Sequence, residues 1–268
     1  MTAIAHFIAI SLYLGAAALA AAPFARPVPA PVTGVTRVLA LGVLAHAVAL
    51  LAATHELGHF PITGLGPALS FAGFVLAVTL LVVECLAREV SLTLAAAPLV
   101  ALCTVTANLI GMQTLAPIDG AQGAWLTSHI ALSFAGIAAY ATAAAAGAVY
   151  LAEHRELRSR RFGVLFRFFP PLETLDRVNH LASLGGWLGL TLGVALAFAY
   201  SAAYGFGDLP QLIWGTAAWL GITTLAVGRV LGGWRARRAA LVASLTFAAV
   251  VALYVIARLT VSGPGRFL

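Results

Sequence analysis

Eight apolar stretches divide this chain, with only short polar segments between them. Most approach the ~20 residues that a helix needs to cross the ~30 Å hydrocarbon core of a bilayer. We therefore predict an all-α, polytopic membrane protein with eight transmembrane helices, forming a single transmembrane domain over residues 1–268. The stretches are Ala3–Ala22, Val38–Thr54, Pro67–Ala87, Val90–Ile110, Ala124–Leu151, Leu181–Tyr200, Leu212–Gly228 and Ala239–Ala257.

The arginines indicate the topology. Thirteen of the fifteen fall in every second gap between the stretches, and only Arg258 and Arg266 fall on the other side. Basic residues in short loops stay in the cytoplasm, so both termini are predicted to lie outside a bacterial inner membrane. No basic face coincides with a soluble domain, so we expect the lipid bilayer as the surroundings and no nucleic-acid partner.

The first stretch is also similar to a secretory signal peptide, because small residues stand at Ala20–Ala22. No basic residue precedes its apolar run, however. Cleavage would also leave Arg26 and Arg37 outside the membrane, against the charge pattern. We therefore interpret this stretch as a transmembrane helix.

Polar side chains deep in a membrane span are costly, which makes the few histidines there candidates for function. His6 and His129 are predicted to lie at similar depth, near the outer ends of the first and fifth spans. His46 is predicted to lie near the centre of the second span, several ångströms deeper at a rise of ~1.5 Å per residue.

Two helix faces are predicted to contact neighbouring helices. A stripe on the fifth span has spacings of four, three and four, and could line a cavity; it consists of His129, Ser133, Gly136 and Tyr140. The sixth span has glycines at four-residue intervals, a pattern typical of close helix contacts; these are Gly185, Gly189 and Gly193.

The segment Glu153–His180 is the longest predicted cytoplasmic loop. It begins with a charged helical extension through Arg161, continues through the amphipathic Phe162–Phe169, breaks at Pro170–Pro171 and restarts at Leu172. Its aromatic and basic residues are typical of a segment that lies along the inner membrane surface.

An ordered set of blocks resembles the cytochrome c assembly family, and more narrowly its HemX-like and CcsA-like inner-membrane branch. The resemblance runs from Trp125 to the C-terminus, and the first four spans fit this branch by length and loop pattern. The blocks are His129–Ser133, Glu156–Arg161, Phe169–Leu175, the glycines of the sixth span, Trp219–Leu220, Arg229 and Trp234–Arg238.

The resemblance implies haem (heme) as cofactor and a tryptophan-rich shelf at the outer face, flanked by histidines. By position, His129 matches the histidine ahead of the shelf, and Trp214 and Trp219 match tryptophans at its trailing edge. This chain departs from the family pattern in four ways. Leu209 stands where the shelf has an acidic residue, and Val227 stands where a second histidine is expected. The segment Tyr200–Phe206 replaces the tryptophan-rich part of the shelf, and no histidine follows the last span.

Haem is a flat apolar ring with two carboxylates, and it suits a helix-lined cavity with a neutral imidazole on the iron. His129 would be that metal ligand. His6, at similar depth, is the expected second ligand, whereas His46 is too deep to share the same iron with His129.

A rival motif is His55-Glu56-Leu57-Gly58-His59, which spells the H-E-x-x-H pattern of zinc proteases and resembles that of the site-2 intramembrane proteases. To bind zinc in that way, both histidines of the motif must lie on one helix. Pro61 predicts instead that the helix ends at about the motif. The charge pattern also places Glu56 in an outer loop, whereas those proteases hold zinc within helices. An adventitious divalent-metal site at His55 and His59 is therefore favoured over a protease site.

The leading expectation is therefore a haem-binding or haem-handling membrane protein with no enzymatic activity. The alternative is a non-catalytic accessory protein of the same branch that binds no haem. It would act on a cytosolic protein, a cytochrome c assembly protein or another membrane protein through the segment Glu153–Arg177.

Overall fold

The computed structural model describes residues 1–22, 32–87, 91–114, 120–160, 169–205, 209–234 and 236–260. Helices account for nearly all of these residues, which confirms the all-α membrane fold. The eight principal helices are α1 Thr2–Ala20, α2 Val32–Leu57, α3 Leu65–Ala87, α4 Ser91–Ile110, α5 Gly120–Ser159, α6 Leu172–Tyr204, α7 Leu209–Val230 and α8 Ala236–Thr260.

Seven of these eight helices are long and apolar enough to cross a membrane, judged on the described residues; α7 is the remaining one. Its composition explains the difference, because α7 carries three threonines, two tryptophans and Arg229 among its apolar residues. The expected number of helices is thus present, and α7 is the one that does not meet the length and hydropathy of a membrane span among the described residues.

The helices form two compact units, Met1–Ile118 and Asp119–Leu268. In the first, α1 packs against α2 and α4, and α3 packs against α2 and α4. In the second, α5 packs against α6 and α8, and α7 packs against the same two helices. The core of the second unit is built from Tyr140, Leu190, Ile222, Leu225, Ala239 and Ala243.

The helices α5 and α6 extend beyond the apolar stretches that predicted them. The charged extension of α5 is helical as far as Ser159, and α6 already begins at Leu172, directly after Pro170 and Pro171. Proline fits the start of a helix because its missing N–H would have no intrahelical partner there. The predicted surface segment Phe162–Phe169 lies outside the described residues except for Phe169.

Small residues bring α5 and α6 into close contact. A Cβ atom added at Gly189 would lie 2.9 Å from the Cα atom of Gly136, so the two backbones nearly touch. The predicted stripe therefore packs directly against α6 along this part of its length, where it lines no cavity. Gly185 was wrongly predicted for the contact: a Cβ there meets nothing within 4 Å, and Gly186 faces α5 instead. Spacings of three and four follow one face of a helix with 3.6 residues per turn better than repeated spacings of four.

The arginine pattern predicts which ends of these helices face the cytoplasm. The rise of ~1.5 Å per residue separates the two ends of α6 by roughly 48 Å, more than a bilayer core. We consider a variant that lacks Cys85 and Cys103. An impermeant maleimide should label Tyr204→Cys, at the predicted outer end of α6, in intact cells. It should label Ser159→Cys, at the predicted cytoplasmic end of α5, only after permeabilisation. Labelling of Ser159→Cys in intact cells would reverse the topology.

Candidate functional site

His129 is held in one tautomer by the helix packed against it. Its Nδ1 atom lies 2.7 Å from the carbonyl oxygen of Gly193 on α6. Because a carbonyl oxygen only accepts hydrogen bonds, Nδ1 must carry the proton. The neutral ring then has its lone pair on Nε2, the form in which histidine binds a metal while its other nitrogen donates to a backbone carbonyl. The side chain is half-buried.

An aromatic group lies one turn from His129, toward the Gly120 end of α5. Trp125 donates its indole N–H to the carbonyl oxygen of Leu196 at 3.2 Å. Its ring packs edge-on against Tyr200 and Tyr204, with centroids 6.4 and 6.3 Å away. Sequence reasoning missed this group, although the four-residue spacing from Trp125 to His129 and from Tyr200 to Tyr204 was a signal for it.

The two tryptophans of α7 form hydrogen bonds within the second unit. Trp219 donates to the hydroxyl of Thr191 at 3.0 Å and packs against the core of that unit. Trp214 donates to the carbonyl oxygen of Val250 at 3.2 Å. Thr191 and Gly193 are two residues apart, or about 200° around a helix, so Trp219 and His129 contact different sides of α6.

His6 lies in the first unit, fully buried, and its Nε2 atom is 2.9 Å from the hydroxyl of Ser70 on α3. The Nε2 atom of His46 is 3.0 Å from the same hydroxyl. The sequence-based depths separated these histidines, but their rings lie edge to face with centroids 5.3 Å apart. The role of His6 as second iron ligand stays a prediction.

The H-E-x-x-H motif does not lie on one helix. The helix α2 ends at Leu57, and Gly58 has a left-handed φ of 75° that turns the chain away before His59. Glu56 accepts a hydrogen bond from the hydroxyl of Thr2 at 2.9 Å, and His59 lies 3.2 Å from the hydroxyl of Thr114. Within the described residues, no group of three or more His, Cys, Asp or Glu is placed to hold a metal. This geometry differs from that of a zinc protease.

A buried ion pair lies near the other end of the second unit. Arg229 of α7 is 2.7 Å from Asp176 of α6, with the two side chains 3% and 28% exposed. The guanidinium also donates to the amide oxygen of Asn179. Asp176 accepts a further hydrogen bond from the backbone N–H of Ala236, at the start of α8, at 3.0 Å. This network joins three helices.

The chain belongs to the cytochrome C assembly protein family, whose model matches residues 32–264. The match covers α2 to α8 within the described residues, and α1 precedes it.

Relatives are consistent with this assignment. The cytochrome c biogenesis protein CcsA of Synechococcus sp. (strain WH7803) is 26% identical over 83% of this chain and 81% of its own length. CcsA of Synechococcus sp. (strain CC9605) is 26% identical over 74% of each chain. A 28.8 kDa protein of Azospirillum brasilense is 32% identical, but the match spans only about half of each protein, 49% of this chain and 50% of the relative. No solved structure matches the chain.

Proposed function

We propose that this protein binds or passes haem as a membrane component of cytochrome c biogenesis, with His129 as the iron ligand. The observation that carries the proposal is the hydrogen bond from His129 to Gly193, because it leaves Nε2 with a free lone pair. Membership of the cytochrome C assembly family and the relatives named CcsA support the same role.

The residues around His129 suit an apolar ring with charged edges. Trp125, Tyr200 and Tyr204 supply aromatic surface one turn away, and Gln122 donates to the hydroxyl of Tyr200 at 2.7 Å. Aromatic rings stack with flat apolar groups, and polar tips at a membrane boundary suit the wet edge of such a ligand. We infer that this group takes the place of the family's tryptophan-rich shelf.

Bound haem would supply the redox-active iron, and the protein would supply the imidazole of His129 as a ligand and an aromatic wall from Trp125, Tyr200 and Tyr204. His129 would be held in position by α6, since Gly193 fixes its ring. The roles of Trp214 and Trp219 would be to position α7 through their hydrogen bonds to Val250 and Thr191. We assign no enzymatic reaction to these residues.

The alternative is an accessory protein that binds no haem and contacts a protein partner in the cytoplasm. It is favoured by the end of α5, where exposed Arg155, Arg158 and Ser159 continue the helix beyond its apolar part. Charged helical extensions of this kind are suited to a protein or an anionic lipid surface.

Haem content separates the two functions. The protein purified from haem-replete cells should show a Soret band, and His129→Ala should lose most of the haem measured as the pyridine haemochrome. His55→Ala and His59→Ala, matched controls outside the site, should keep it. Absence of haem from the parent protein would favour the accessory role instead.

The same spectra test the second ligand. If His6 also binds the iron, His6→Ala should retain haem through His129 but with a changed spectrum. An unchanged spectrum would remove His6 from the haem site.

A further inference from the structure

We propose that His6, Ser70 and His46 form a proton relay inside the first unit, with Tyr13 anchoring its inner end. The relay rests on contacts within the first unit alone and requires no haem. The residues His6 and Tyr13 are on α1, which precedes the part of the chain matched by the family, so membership of the family does not imply it.

The four side chains form one continuous chain of hydrogen bonds. The hydroxyl of Tyr13 lies 3.2 Å from Nδ1 of His46, and Nε2 of His46 lies 3.0 Å from the hydroxyl of Ser70. The same hydroxyl is 2.9 Å from Nε2 of His6. All four residues are fully buried. Each group both donates and accepts, which is the requirement for passing a proton along a chain.

The position of Ser70 between the two histidines determines which groups donate and which accept hydrogen bonds in the chain. A hydroxyl has one proton, yet Ser70 lies between two imidazole nitrogens, so one histidine donates to Ser70 while the other accepts from it. When His6 donates, its Nδ1 atom has a bare lone pair. That atom is buried, forms no hydrogen bond of full geometry among the described residues, and lies beside the backbone of Thr2. It is therefore the atom at which a proton can be added to this chain of hydrogen bonds.

A proton that binds at this atom can move inward without any atom travelling far. An N–H bond forms at His6 Nδ1, the His6 Nε2–H bond breaks as its proton passes to Ser70, and the Ser70 O–H bond breaks as its proton passes to His46 Nε2. The positive charge that entered on His6 is then carried transiently by His46. The Nδ1–H of His46 donates to the oxygen of Tyr13, which stabilises the imidazolium. The number of protons is balanced at every step.

The relay leads from a polar end of the first unit toward its interior. Thr2 lies one helical turn before His6 and donates to the carboxylate of Glu56, whose side chain is 52% exposed. His46 lies ten residues before Glu56 on α2, about 15 Å along the helix axis. Solvent protons at the Glu56 end would thus reach a position near the middle of a bilayer core.

Solvent exchange of the His46 ring N–H protons tests the relay, measured by NMR on ¹⁵N-histidine-labelled protein in lipid nanodiscs. Exchange should be measurable in the parent despite zero exposure. Ser70→Ala, which removes only the bridging hydroxyl, should slow it on the order of tenfold or more, since a positioned proton-transfer group contributes roughly a hundredfold. His6 should exchange as before in this variant.

Two further variants control for altered packing. Ser70→Thr keeps the hydroxyl and should restore exchange at His46. Tyr13→Phe removes a hydroxyl on the far side of His46 from Ser70, so His46 should still exchange faster in this variant than in Ser70→Ala. Equal exchange in the parent and Ser70→Ala would overturn the relay, as would protection of His46 in the parent. Because this measurement uses haem-free protein, its failure is independent of the haem proposal.

Discussion

Gly136→Ala is expected to destabilise the second unit severely. A Cβ atom at this position would lie 2.5 Å from the backbone nitrogen of Leu190 and 2.7 Å from its Cγ atom. Backbone atoms cannot rotate away as a flexible side chain can, so α5 and α6 must separate. Forcing one extra carbon into a packed contact costs typically about 1–3 kcal/mol, and a backbone clash belongs at the upper end.

Gly185→Ala is the matched control, on the same helix pair. A Cβ atom there meets nothing within 4 Å, and alanine favours a helix over glycine by up to about 1 kcal/mol. Thermal unfolding in detergent, followed by tryptophan fluorescence, should give a much lower Tm for Gly136→Ala and an unchanged or higher Tm for Gly185→Ala. Equal Tm values would contradict the close packing of α5 against α6.

Asp176→Ala should produce the second large effect, because it leaves Arg229 without its anionic partner. The Arg229 side chain is only 3% exposed, and its Nε atom already lacks a hydrogen-bond partner among the described residues. Removing one member of a buried ion pair costs about 3–5 kcal/mol. Asp176 is 28% exposed, so water reaches the pair and we expect a loss nearer the lower figure.

Glu173→Ala provides the comparison, since Glu173 is an exposed carboxylate in the first turn of the same helix. Removal of its carboxylate should lower the free energy of unfolding by less than about 1 kcal/mol, the size of a helix-dipole effect. The same unfolding measurement should therefore separate the two variants clearly. A Tm for Asp176→Ala equal to that of Glu173→Ala would show that the ion pair contributes little.

The helical fold could be predicted from local patterns in the sequence. Apolar length predicted the helices, and the period of the stripe from His129 to Tyr140 predicted the face of α5 that contacts another helix. Pro61 likewise predicted that α2 would end near His55, which excludes the protease geometry because His59 lies beyond the helix. Each of these features depends on residues that are close together in the chain.

Features that depend on several helices could not be predicted in the same way. His6 and His46 meet because Ser70, on a third helix, lies between them, and no periodicity in α1 or α2 contains that information. The choice of Gly186 over Gly185 depends on the path of α5 across α6, which the glycine spacing leaves open. The aromatic group around Trp125 combines residues of two helices that are separated by more than seventy positions.

The most direct measurement for the central claim is imidazole rescue of a His129→Gly variant. The variant removes the proposed ligand and leaves a space of the size of an imidazole ring. Purified without imidazole, it should lack most haem and the parent Soret band. Imidazole added during haem reconstitution should restore both, because the free base can occupy the position of the missing ring. A His129→Gly variant that keeps full haem with the parent spectrum would contradict the assignment of His129 as the iron ligand.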